Sequence, residues 1–338
     1  MSRLKAFIQT RLGRILTTAG VLVAGYLIVL LLITTGVIND YLQATMVTIG
    51  VNIILAVSLN LITGFTGQFS LGHAGFMAIG AYTTALVTLQ IPNIWGLLIG
   101  LLLGGLIAAV LGLLIGLPTL RLRGDYLAIA TLGMAEIVRI LLLNFDGLTN
   151  GAAGLFGMPR LVDWTLLFIF TVGSVILIAN FLRSAHGRDL IAVREDEIAA
   201  SSIGVNALRA KTLAFVIGAF FGALAGGLYA SYFYFVKPDL FGFLKSVDIL
   251  IIVVLGGLGS LSGSVIAAVL LALVSTLLQT LPELRMVIYG LILVVIMMFR
   301  PQGLMGDREL TLSAFKRIIP KRWRKTDQAE QTSQDGLV

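Results

Sequence analysis

Two ionisable side chains lie well inside an apolar stretch of this sequence, Glu136 and Arg139. Three positions apart on a helix, they are neighbours and can pair. A carboxylate at membrane depth could relay protons or meet a substrate. A structural ion pair, with Arg139 reaching outward along its aliphatic stem, satisfies the same spacing. His73 closes a glycine-rich polar run and could sense pH, contact a ligand or hold a structural hydrogen bond. Asn52, Asn60 and Gln68 could line a polar path or bond one helix to another. Other chemistry is excluded. There is no cysteine, hence no thiol nucleophile, no disulfide and no cysteine-ligated metal. His73 and His186 are the two histidines and stand far apart, so no zinc or haem site is expected. The nucleotide-binding pattern G-x-x-x-x-G-K-[ST] is missing, because Lys245-Ser246 follows Leu244 rather than glycine. If ATP drives this protein, another chain must bind it; no cofactor or metal is expected here.

The elements that position these residues are apolar. Hydrophobic residues make up 58% of the 338, well above the roughly 45–50% of soluble domains. Mean hydropathy is +0.99. Spans of about 20 residues read at roughly 16–35, 42–62, 74–90, 95–117, 126–143, 164–182, 212–233, 247–257, 264–281 and 285–299. The expectation is an all-α polytopic membrane bundle of about ten transmembrane segments. The eighth stretch is too short to cross as a straight helix. The first is too long for a signal-peptide core and reads as a retained helix. Two glycine-rich breaks, Gly64 to Gly75 and Gly256 to Gly263, interrupt apolar sequence without adding an acid or an arginine or lysine. Non-helical backbone at membrane depth persists only inside protein or beside a water-filled cavity. Paired breaks point to a transport path, or else to tight loops at the membrane surface. Glycines spaced by four, as at Gly218, Gly222 and Gly226, read as close helix packing.

Charge gives the orientation. Four basic residues precede the first span, two follow the fourth, five lie between Arg183 and Lys211, and eight lie from Arg300 to Lys325: 19 of the 24. With ten spans these segments share one side, and the positive-inside bias makes it the cytoplasm, with both termini there. The net charge of +7 is then an orientation signal, and no nucleic-acid partner is expected. The domain reading is a basic N-terminus over 1–15, a permease domain over 16–306 and a polar tail over 307–338. The 183–211 segment holds nine of the 41 charges and must sit in water. Glu195, Asp196 and Glu197 suit a helix start, Gly204 suits its end, and Ile198, Ala199, Ala200 and Ile203 form a small apolar face. That pattern fits a helix seated in a partner's groove.

EIAASSIG (Glu197 to Gly204) resembles the coupling loop of ABC-importer permeases, although Ile198 separates the glutamate from the paired alanines. LNLITGFTGQFSLGHAGFMAIGAY (Leu59 to Tyr82), GRDLIAVREDEIAASSIGVN (Gly187 to Asn206), LGGLGSLSGSVIAAV (Leu255 to Val269) and FRPQGLMG (Phe299 to Gly306) resemble permeases of the branched-chain amino acid ABC importer, of the LivM type. The resemblance implies the ABC importer permease fold and a non-catalytic translocation subunit in the bacterial inner membrane. Its implied partners are a sister permease, ABC ATPase subunits that hydrolyse the ATP, and a periplasmic substrate-binding protein. It implies ATPase coupling through Glu195, Glu197, Ala199, Ala200 and Gly204. It implies a translocation path near Gln68, Ser70, Gly72 and His73. Related permeases carry urea or amides. A stand-alone ion-coupled transporter working through Glu136 or His73, or a channel, are the rival readings from the residues.

Overall fold

The computed structural model describes residues 11–122, 124–278, 282–300 and 303–306. The tail over 307–338 and most of the basic N-terminus lie outside the described residues. Ten helices fall on the ten apolar stretches: α1 (Arg11–Thr34), α2 (Asp40–Thr63), α3 (His73–Gln90), α4 (Ile94–Thr119), α5 (Asp125–Asn144), α6 (Trp164–Arg183), α9 (Ala207–Phe233), α10 (Phe243–Gly256), α11 (Leu261–Leu277) and α12 (Pro282–Phe299). Between α6 and α9 stand two short helices, α7 (Ala185–Glu195) and α8 (Glu197–Ser202). Among the described residues five helices, α2, α4, α5, α6 and α9, are long and apolar enough to cross a membrane by length and composition. The expected short eighth span is α10, with 14 residues; at 1.5 Å per residue it reaches about 21 Å. Among the described residues one small sheet pairs β1 (Leu155–Phe156) antiparallel with β2 (Phe235–Val236).

Burial sorts the helices. Most of α2 and α9 lies inside the protein, whereas α4, α5 and α6 leave most of their apolar surface exposed. On α4, Leu102, Leu106, Ile107, Val110 and Leu114 all point outward. Such a surface suits lipid or a second membrane subunit, not water. The centre is α3, whose Thr84 and Thr88 are buried, packed between α4 and α9. Glycine permits that packing. A Cβ at Gly226 of α9 would collide with the carbonyl of Met77, and one at Gly80 of α3 with the carbonyl of Ala223. Where lipid supplies no hydrophobic drive, such backbone approach holds helices together. Replacing Gly226 with leucine should therefore force α3 and α9 apart, at a cost of about 1–3 kcal/mol or more. The expected readout is a clearly lowered unfolding temperature of the detergent-purified protein; an unchanged midpoint would contradict this packing.

Candidate functional site

Both glycine breaks lie at the same end of the bundle, and they touch. The first follows α2, over residues 64–72; the second joins α10 to α11, over residues 257–260. Asn60, fully buried one turn before the end of α2, binds the second break. Its amide donates to the carbonyl of Ser260 (2.9 Å), to Ser264 Oγ (2.7 Å) and to the carbonyl of Gly257 (3.4 Å). Its Oδ1 accepts from the backbone N–H of Gly259 (2.9 Å). The break needs glycine there: Gly257 and Gly259 have φ of 115° and 90°, a region that Cβ-bearing residues avoid. A Cβ at Gly64 would meet the Gly259 nitrogen, so the two backbones lie in direct contact.

The segment after α12 joins the same knot. Leu304 and Met305 donate their backbone N–H groups to the carbonyls of Leu255 (2.9 Å) and Gly256 (3.3 Å). A Cβ on Gly303 would stand 2.6 Å from Gly257 Cα. The fourth contributor is α7. Its Arg194 crosses under both breaks: a Cβ at Gly67 would lie 3.6 Å from Arg194 Cγ, and one at Gly259 would strike Nη1. Thus all four sequence motifs singled out above meet at one place.

The insert is rigidly built. Ser184 accepts from the N–H of Gly187 (3.3 Å) to start α7, and Asp196 accepts from Ile198 and Ala199 (2.8 and 3.0 Å) to start α8. Asn206 caps α9 by accepting from Arg209 (3.0 Å). Lys211 pairs with Glu197 at 3.0 Å, tying α8 to α9. Leu190 and Val193 of α7 are buried. Two expectations change here. Glu195 ends α7 rather than beginning a helix, because the Asp196 cap splits the insert in two. Ala200 is buried against the protein itself, while Ile198 and Ile203 are 77% and 79% exposed. The outward apolar face is therefore Ile198 and Ile203 with Ala199, and Ala200 is not part of it. Gly204 ends α8 at φ 94°, with open space around it.

Gln68, Ser70, Gly72 and His73 are all shielded from solvent. His73 Nε2 and Ser58 Oγ are 2.8 Å apart, and the ring meets Phe76 edge-on. Its Nδ1 is buried without a hydrogen-bond partner among the described residues. The Ser70 hydroxyl accepts from the N–H of Gly72 at 3.4 Å, and a Cβ on Gly72 would come 2.6 Å from the Thr131 carbonyl. Both polar atoms of Gln68 are buried and unpartnered among the described residues. The cavity beside Gly72 holds about 10 Å³, room for about one water. Asn60 is an interhelical bond, and Asn52 accepts from Lys245 Nζ at 3.4 Å. Arg139 pairs with Glu136 at 2.7 Å and reaches Asp239 at 3.5 Å. Both side chains of the close pair are partly exposed. Among the described residues no cluster of three His, Asp or Glu side chains could hold a metal ion.

A family model described as the permease component of the branched-chain amino acid transport system matches residues 41–297. The chain belongs to this permease family. The permease is 40% identical over 289 residues to the high-affinity branched-chain amino acid transport system permease protein LivM of Salmonella typhimurium, covering 75% of this chain and 67% of that one. LivM of Escherichia coli matches equally well, at 40% over the same shares. LivH of Salmonella typhimurium is 29% identical over 76% of this chain and 92% of its own. The permease is thus of the LivM type. No solved structure matches the permease significantly. With its helices, the family makes it a multi-pass membrane protein.

Proposed function

We propose that this chain is the LivM-type translocation subunit of an ATP-driven importer for branched-chain or related amino acids. It pairs with a sister permease, two ATPase subunits and a soluble binding protein, and hydrolyses no ATP itself. Both termini and the insert lie at the cytoplasmic face of the inner membrane. The observation that carries this reading is the meeting of the insert with both glycine breaks through Arg194. Ile198 and Ile203 face outward and seat in a groove of the ATPase. Force on α8 passes through α7 to the knot that joins α2, α10 and α11. A secondary transporter or a channel needs no such insert.

The test is ATP-dependent uptake of radiolabelled leucine, isoleucine, valine, urea and acetamide by the assembled transporter in vesicles. Ile198→Asp is expected to abolish co-purification of the ATPase, because the aspartate would carry its charge into an apolar groove. The variant should still enter the membrane, since Ile198 is largely exposed and contributes little to the protein's own packing. Uptake by the purified chain alone, driven by an ion gradient, would replace this reading with the secondary transporter.

A further inference from the structure

A cavity of about 280 Å³ lies at the end of the bundle opposite the insert. The distance follows from α9, which runs 27 residues from the insert to Tyr232 and Phe233, about 40 Å of helix. Ligand pockets commonly hold about 300–1,000 Å³, so this one suits a single small molecule and excludes an oligosaccharide. Its walls carry both charge signs. Arg160 and Asp163 line it together with Trp164, Tyr232, Met46 and Val47.

Both charged side chains are solvent-exposed at the mouth of the cavity, and Arg160 is braced there. Arg160 donates from Nη2 to the Tyr232 hydroxyl at 2.6 Å, and its guanidinium carbon stands 4.3 Å from the centroid of that ring. Tyr232 is buried and so fixes the guanidinium in place. Among the described residues no carboxylate pairs with Arg160. A planar fork of donors held this way suits a carboxylate. Asp163 occupies the cap position of α6 without using its side chain as a cap, and it too has no ion pair among the described residues. Trp164 Nε1 is buried without a hydrogen-bond partner.

We infer that this cavity binds a zwitterionic amino acid with an aliphatic side chain. Arg160 takes the carboxylate, Asp163 takes the ammonium, and Met46 and Val47 receive the side chain. It rests on the proposed function and adds a substrate site at the entrance, where the amino acid arrives from the soluble binding protein. The two charges set the ligand class, and the apolar wall favours branched over polar side chains. A phospholipid headgroup, also a zwitterion, is the competing source of the same charges.

The test measures binding to the purified full chain in nanodiscs of neutral lipid. The probes are leucine, isocaproate (leucine without its ammonium) and isoamylamine (leucine without its carboxylate). Each charge-assisted contact removed should cost at least about tenfold in affinity, so both analogues should bind at least that much more weakly than leucine. Arg160→Gln should weaken leucine and isocaproate but leave isoamylamine unchanged; Asp163→Asn should do the converse. The analogue series on the unaltered chain decides the matter even if a variant misfolds. No leucine binding, equal binding of all three probes, or phosphocholine occupying the site in place of leucine would overturn the proposal. Wild-type leucine uptake by both variants in the assembled transporter would sink the cavity and leave the proposed function standing. Absence of ATP-driven amino acid uptake by the unaltered transporter would sink the proposed function.

Discussion

Replacing Arg194 with alanine should leave the assembled transporter hydrolysing ATP while leucine uptake falls at least about tenfold. The side chain crosses under Gly67 and Gly259 and links the helix next to α8 with both breaks. Removing it takes away this side-chain link to the breaks, while Leu190, Val193 and the Lys211–Glu197 pair still hold the insert on the bundle, so on the proposed function ATP hydrolysis persists as coupling weakens. Coupling free energies between sites are typically about 1–3 kcal/mol, or about 5–150-fold, and one side chain spanning the joint can carry much of that. The decisive readout is ATP hydrolysed per leucine transported. A merely structural role would lower assembly and both rates in proportion, with the ratio unchanged. Arg194→Lys keeps the charge and stem but loses the planar fork, and should fall between wild type and alanine. A ratio unaltered in both variants would refute the joint.

Much of this architecture was legible in the sequence. The apolar stretches marked the helices, and the shortness of the eighth anticipated α10 at 14 residues. The two glycine breaks were visible as separate events. Their contact was not, because Asn60 and Gly259 are 199 positions apart and a lone sequence carries no pairing signal at that range. Asn60 stood open between a path-lining and an interhelical role, since its chemistry serves both; only the direction of its amide decides. The insert misled in a different way. Its acidic run read as one helix start, yet only Asp196 turns its carboxylate onto the following N–H groups. A helix of six residues also shows less than two turns of pattern, so nothing in EIAASS tells which alanine faces inward. Arg160 is one of the five basic residues outside the 19 that set the orientation, and its hydrogen-bond partner Tyr232 lies 72 positions away.

The second large effect belongs to Asn60. Asn60→Ala removes a buried amide and leaves the Gly259 N–H without its acceptor, while opening a void between α2 and α11. An orphaned buried donor costs about 1–3 kcal/mol, and the lost contacts add to it. The carbonyl of Ser260 suffers less, because it still accepts from Ser264 through both backbone N–H and hydroxyl, at 3.1 Å each. The unfolding midpoint should drop by about 5 °C or more, and uptake should fail because the knot no longer moves as one piece. Asn60→Asp separates packing from hydrogen bonding. Aspartate has nearly the same shape and still accepts from Gly259, but it turns an oxygen toward the carbonyls of Gly257 and Ser260 where an amide donated. A buried carboxylate facing carbonyls is strongly disfavoured, so aspartate should be at least as destabilising as alanine despite filling the space. If aspartate instead preserved the midpoint and alanine lowered it, shape rather than the hydrogen bonds would hold the breaks together.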